Sequence, residues 1–410
     1  MSMIMRKYLS IAFLTAGLIF LATHFYGQIF VSRRPISEPS PHVRSGSKAL
    51  LDRRFKPDPL RTYPLEGLRI DQNLKQRFLN DVVLASVSKN MGDPAVAVHS
   101  LRLRAHGMET LAPPERNYFD DVLELLTDDR VFRRFGSGLP VLTETVYGAG
   151  YRTRSRSSLS VAGSIGAIAE GGMTHVDIML CVLGELGVGL DYPLVTSTDR
   201  VVTLADVLED SMQRFDFGRE LDFTLVGYCC YLRQRDWTTI HGKTYSVDGI
   251  AEALVRRSPA SGACNGTHRL YAIAKYCMWA RRFPKLAAPH IREHCENHLK
   301  DISRHLVGCQ NEDGSWDGNW WVGTSTTAKQ ESTDLIGHYN DTIRVTGHML
   351  EWFAIVPPDL RPPRDVIARA ANYLLRQFEI NRNDLYNANL LPVTHAIRAL
   401  LNLSEPMARV

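Results

Sequence analysis

Five histidines repeat one placement along this chain, and chemistry is expected where they fall. His99, His175, His268, His348 and His395 each lie in the first half of a short apolar helical segment, or open it. Three follow a threonine directly, as Thr174-His175, Thr267-His268 and Thr394-His395, and Thr346-Gly347-His348 repeats the pattern with one insertion. A threonine there caps a helix and sets the next imidazole at the helix's positive end. Asp222 takes the same position in the remaining segment. If the segments run parallel, the imidazoles and one carboxylate meet near one mouth of the fold, as neutral general bases or as metal ligands. The plainer alternative is that each histidine caps its own loop, a packing solution copied by duplication.

Within this set Cys264-Asn-Gly-Thr-His268 is the best local metal candidate. A thiolate and an imidazole four residues apart could take zinc, with His175, His348 or Asp222 completing a tetrahedral set. A buried cysteine beside a capped helix is the ordinary alternative, and the cofactor stays open. A second candidate is Gly337-His338-Tyr339-Asn340-Asp341, followed by Arg344 and His348. Tyr339, Asn340 and their neighbours are the groups that neutralise a substrate carboxylate and abstract the proton beside it. Arg152 and Arg154, in a long insert, could hold an anionic substrate. Trp237, Trp320 and Trp321 fall in the joints, where aromatic faces suit sugar rings or prenyl chains, whereas Trp316 reads as a core staple.

Two kinds of helical segment must position these groups, and they alternate strictly. One kind is amphipathic: Asp71–Lys89, Asn117–Phe132, Thr203–Phe215, Ser246–Arg257, Ile291–Gly308 and Arg364–Glu379. The other is shorter and apolar on most faces: Ala95–Ala105, His175–Leu186, Asp222–Leu232, His268–Ala280, Thr342–Ile355 and Val393–Leu403. Helices apolar all round lie inside and one-striped helices outside. Six such pairs predict an all-α fold, an α/α toroid of about six helical hairpins over residues 71–405, with an open helical solenoid as the alternative. Thr203-Leu-Ala-Asp206 has capping-box spacing, and Ser246 and Thr394 sit where caps belong. Two joints are long, Gly136 to Met173 and Cys309 to Asn340, and joints of that length are usually functional or disordered.

The chain has 410 residues and a formal net charge of +4, too small a surplus to indicate nucleic acid as a partner. Its 7 cysteines, an odd number with Cys229 and Cys230 adjacent, do not form a disulfide framework. Residues 8–31 are almost uninterrupted apolar sequence, long enough to span a bilayer and without a good cleavage site. That stretch predicts a transmembrane anchor within residues 1–31, a single-pass membrane protein and a large domain outside the cytoplasm. Residues 32–70, rich in proline, serine and arginine, read as a flexible tether.

Gln310, Asp313, Gly314, Ser315 and Trp316 resemble the Gln-x-x-Asp-Gly-Ser-Trp repeat motif of the terpenoid cyclase and protein prenyltransferase superfamily of α/α toroids. The resemblance implies a fold, with the motif stapling outer helices, and not a reaction. The Asp-x-Asp-Asp run with which class II cyclases protonate their substrate does not occur. Asp120-Asp121-Val-Leu-Glu124 looks like a diphosphate-binding run, but it lies on an expected outer helix, where carboxylates form a solvated face. The zinc triad of protein prenyltransferases does not map onto this chain. A mouth ringed by imidazole, arginine and carboxylate suits a polar small molecule, glycan or peptide. The leading expectation is an enzyme, hydrolase or lyase, acting on such a substrate. The alternatives are a non-catalytic binding or scaffold protein and a prenyltransferase or cyclase relative.

Overall fold

The computed structural model describes residues 51–58, 60–89, 93–104, 113–135, 139–153, 172–258, 262–322, 335–380 and 390–405, which all fall in the unit Pro41–Val410. These residues are mostly helical, with three short hairpins between the helices. In chain order the helices are α1 (Gln72–Lys89), α2 (Pro94–Leu101), α3 (Pro113–Thr127), α4 (Asp129–Phe135), α5 (Ile178–Glu185), α6 (Leu204–Gln213) and α7 (Asp222–Tyr231). They continue with α8 (Val247–Arg256), α9 (Thr267–Arg282), α10 (Pro289–Cys309), α11 (Leu335–Ile355), α12 (Arg364–Ile380) and α13 (Leu390–Leu403).

Burial separates the two kinds of helix as the alternation predicts. Every residue of α5 and of α7 is buried, and α13 is buried at all but Leu391. By contrast α10 buries a single stripe, Ile291, Cys295, Leu299, Ser303 and Leu306, at the three- and four-residue spacing of one helix face. The buried helices pack in a cyclic order: α2 on α5, α5 on α7, α7 on α9, α9 on α11, α11 on α13, and α13 back on α2. The striped helices lie against them, with α1 on α2 and α13, α3 on α2, α6 on α5, α8 on α7 and α9, α10 on α9, and α12 on α11. Close approach needs small residues. A Cβ added to Gly227 would stand 2.9 Å from Leu180 Cβ, and one added to Gly347 would stand 2.9 Å from the backbone of Ala396.

The strands were not anticipated from sequence. β1 (Leu142–Thr145) pairs with β2 (Gly148–Tyr151), β3 (Pro193–Val195) with β4 (Val201–Thr203), and β5 (Asp236–Thr238) with β6 (Thr244–Ser246), all antiparallel. The last two run straight into α6 and α8, whose caps, Thr203 with Asp206 and Ser246, are the expected ones. The Gln310–Trp316 joint does a comparable job without strands. Gln310 donates to Gly314 O and to Val366 O of α12, each at 2.9 Å, and Trp316 is buried with its indole N–H 3.0 Å from Leu306 O. Gly314 has φ +96°, and a Cβ there would lie 2.5 Å from Arg369 O, so only glycine fits.

Two expectations need correction. Among the described residues no helix is long and apolar enough to cross a membrane, because the longest, α10 and α11, carry charged residues such as Arg292, Glu296, Lys300, Arg344 and Glu351. The expected single-pass membrane anchoring and the placement outside the cytoplasm are therefore not upheld, and residues 8–31 lie outside the described residues. The expected tether also ends earlier than residue 70. Within residues 51–70, Leu65 and Ile70 are buried, and the segment runs across the carboxyl ends of the buried helices. Leu60 N donates to Glu185 O at 3.3 Å, Tyr63 N to Ala354 O at 2.7 Å and Leu65 N to Leu403 O at 2.8 Å. Helix ends leave such carbonyls without partners, and this segment supplies them.

The tight crossing at Gly347 gives a first prediction. Gly347→Val should destabilise the fold by about 1–3 kcal/mol, since a side chain must push α11 and α13 apart. Urea unfolding followed by circular dichroism measures it; a midpoint unchanged from wild type would remove the crossing from the account.

Candidate functional site

His268 is the second residue of α9, whose entry is a sharp turn. Cys264, Asn265 and Gly266 have φ of 47°, 57° and 78° in succession. Left-handed backbone at a cysteine costs of order 1–3 kcal/mol and persists only when the surroundings fix it. They do so here. Asn265 donates to Gly318 O at 2.8 Å, the Trp320 indole donates to Asn265 O at 2.9 Å, and Arg344 reaches Asn265 Oδ1 at 3.1 Å.

The imidazoles meet in one continuous line. Ring centroids are 4.9 Å apart for His175 and His268, 4.6 Å for His268 and His348, 3.8 Å for His348 and His395, and 5.0 Å for His395 and His99. Phe223, next to Asp222 on α7, closes one side at 4.8 Å from His175 and 4.9 Å from His268. The five histidines predicted from their placement are thus brought together.

Partners at Nδ1 decide where the protons sit. His99 Nδ1 lies 2.7 Å from Ala95 O, His348 Nδ1 2.6 Å from Arg344 O, His175 Nδ1 2.7 Å from Glu220 Oε1, and His395 Nδ1 2.8 Å from Glu351 Oε2. A carbonyl or carboxylate oxygen only accepts, so in each neutral ring Nδ1 bears the proton and Nε2 bears a lone pair. Arg102 also approaches His395 Nδ1, at 3.2 Å, but the shorter carboxylate contact assigns that proton. His268 Nε2 lies 2.7 Å from His348 Nε2. Since His348 Nε2 is a lone pair, His268 Nε2–H donates to it. His268 Nδ1 is then a bare acceptor, buried and without a partner among the described residues.

Four of these rings, those of His99, His268, His348 and His395, are held neutral. Burial, then the charge of Arg102, lowers His99 to about 3, and burial lowers His348 to about 4. His268 and His395 are pushed well below the ordinary range by burial and by the neighbouring His348. Asp222 is buried too, and its carboxyl is raised to about 6 by burial and by Glu220, with Oδ1 unpartnered among the described residues.

One helical turn beyond the histidines lies an ionic layer that the sequence reading did not single out. Arg398 donates to Glu351 at 2.8 Å and to Glu185 at 2.7 Å, and Arg102 lies 3.5 Å from Glu351 and 3.8 Å from Glu185. Tyr271 donates to Glu185, and Lys275 lies 3.8 Å from it. Burial alone would raise both carboxyls, but the surrounding cations outweigh it and hold them below the ordinary range. The overlooked signal was periodic: Arg102, Tyr271, Glu351 and Arg398 each stand three residues after a ring histidine, on the same helix face.

Other expected residues fall elsewhere. Trp237 is buried against Phe215 and Tyr228 and bonds Met212 O, and Trp320 is buried against the Asn265 turn, so both are core staples rather than ligand contacts. Trp321 is 41% exposed. Arg152 sits just past β2, its backbone bonded to Val141 and Met173, while Arg154 lies outside the described residues. Tyr339 and Asn340 are in the first turns of α11, and their side chains lie outside the described residues.

Among the described residues three sets of donor atoms, each within 4.8 Å of one another, could hold a metal: Cys264, His268 and His348; His175, Glu220 and His268; and His348, Glu351 and His395. In the third, Glu351 is already taken by Arg398 and His395. In the second, Glu220 and His175 share a proton. The first contains the predicted pair Cys264 and His268, with the thiol pushed up to about 11 by burial. Two nitrogens on one zinc stand roughly 3.3 Å apart. At 2.7 Å His268 and His348 share a proton instead, and a metal would have to spread them.

Neutral buried histidines fix the sign of a pH effect. Unfolded histidines take up protons near pH 6.5, while the folded ones resist until much lower pH, so stability is full above about pH 6.5 and falls as pH drops toward about 4. The slope should reach about 1.4 kcal/mol per pH unit for each such histidine. Urea unfolding between pH 7.5 and 4.5, with His348→Gln as a shallower comparison, measures it; equal slopes would refute the assignment.

Comparison of the chain with protein-family models, with curated proteins and with solved structures finds no match.

Proposed function

We propose that this chain is an α/α-toroid enzyme whose histidine cluster moves protons on a polar, hydroxyl-bearing substrate of the glycan or peptide kind, by hydrolysis or elimination. The cyclic packing order supports the toroid, since an open solenoid would leave α2 and α13 apart. One observation carries the function: among five gathered imidazoles, His268 Nδ1 is buried and has no donor among the described residues. Buried acceptors without donors are costly, and substrate O–H or N–H groups would supply them. Nitrogens that accept such hydrogens at neutral pH are positioned to act as general bases, and the Glu351 carboxylate behind His395 fixes the tautomer that turns Nε2 toward them. A prenyl or terpene chain calls for apolar and aromatic walls, and only Phe223 touches the cluster among the described aromatic rings outside the histidines.

The test incubates the full chain with panels of oligosaccharides, uronic-acid polymers and peptides, reading products by mass spectrometry and binding by calorimetry. His348→Gln should lower turnover by about 10²–10⁴-fold with binding largely kept. Ligands that bind without any product would instead mark a binding or scaffold protein.

A metal-dependent version is favoured by the proximity of Cys264, His268 and His348. Stripping the protein and adding Co(II) should then give about one ion per chain and a thiolate-to-cobalt absorption lost in Cys264→Ser. Absence of stoichiometric uptake leaves the metal-free mechanism.

A further inference from the structure

The opposite end of the same helices holds a cavity of about 640 Å3, within the range of small-molecule sites. It is walled by the carboxyl ends of α7, α9 and α11 and covered by residues of the segment 57–63. Lys275 stands on its wall, seven residues beyond His268 on α9 and so about 10 Å along the helix axis from the imidazoles.

The cations around this cavity differ in what they already hold, and Arg61 is exposed to water and stacks over the Tyr63 ring. Arg281 is paired with Glu296 and Asp359, and Arg282 with Asp58. Arg233 donates to Leu232 O at 2.8 Å and lies between the rings of Phe55 and Phe283. It is a helix-end cap. Lys275 is not: it donates no hydrogen bond among the described residues, and its nearest anion is Glu185 at 3.8 Å. Both Glu185 oxygens are already taken, by Tyr271 and by Arg398. The buried ionic layer holds three cations, Arg102, Lys275 and Arg398, against two carboxylates, Glu185 and Glu351. Lys275 is therefore an ammonium without a counterion of its own, facing a cavity whose remaining walls include Leu60, Met278, Trp279 and Ile355. The neighbouring thiols of Cys229 and Cys230 are raised by burial and supply no charge.

We propose that this cavity binds a small organic carboxylate with an apolar body, its head on Lys275 and its body along the apolar wall. The site is separate from the histidine cluster, and its test does not depend on turnover.

Calorimetric titration of the full chain with octanoate, octan-1-ol and inorganic phosphate distinguishes head from body. Octanoate should bind, octanol and phosphate each at least about tenfold more weakly, and Lys275→Gln should lose at least about tenfold of the octanoate affinity. Leu60→Trp, which narrows the cavity and leaves Lys275 in the sequence, should abolish octanoate binding and serves if Lys275→Gln does not fold. His348→Gln should leave octanoate binding unchanged. Octanoate that fails to bind the folded wild-type chain, or binds Lys275→Gln or Leu60→Trp as tightly as wild type, overturns the proposal. Phosphate that binds as tightly as octanoate overturns the apolar body.

Discussion

Arg398 ties three helices at one buried point. From α13 it donates to Glu351 of α11 and Glu185 of α5, while Tyr271 of α9 and Arg102 beside α2 close on the same two carboxylates. Charges taken this far from water are tolerable only in full company, and removing one partner of such a network costs about 3–5 kcal/mol. The histidine layer depends on it. Glu351 fixes the tautomer of His395, and the positive charge of Arg102 adds to burial in keeping His99 and His395 from protonating. The neutral imidazole cluster thus rests on burial first and on the ion pairs beneath it second.

Much of this was legible in the sequence because two periodicities overlapped. All-round apolar segments and one-striped segments alternate, and burial is the only term needed to sort them. The histidine positions were legible because Thr-His marks a helix start. The layer beneath was missed because its members differ in type: an arginine, a tyrosine, a glutamate and an arginine do not look like a repeat. They become one only when each is counted three residues on from its histidine.

The tryptophans mislead for a different reason. A tryptophan in a polar joint looks exposed, but Trp320 lies over the Asn265 turn and Trp237 sits in an aromatic cluster with Phe215, Tyr228 and Tyr245. Both are long-range placements that local composition does not report. The hairpins escaped notice likewise, since three-residue strands such as Asp236–Thr238 offer no alternation to read. The segment 51–70 looked like a linker because its backbone bonds go to helix ends far away in sequence.

That last feature bears on the order in which the molecule can be assembled. Gly67 N donates to Glu405 Oε1 across 338 residues, and Glu405 N returns a bond to Leu68 O. During synthesis Tyr63 and Leu65 emerge long before Ala354 and Leu403, whose carbonyls they serve. The helical pairs between can form as they are made, from local contacts. The strap that reaches Ala354 and Leu403 must wait for α11 and α13, paying its loop-closure entropy after the helices between have formed.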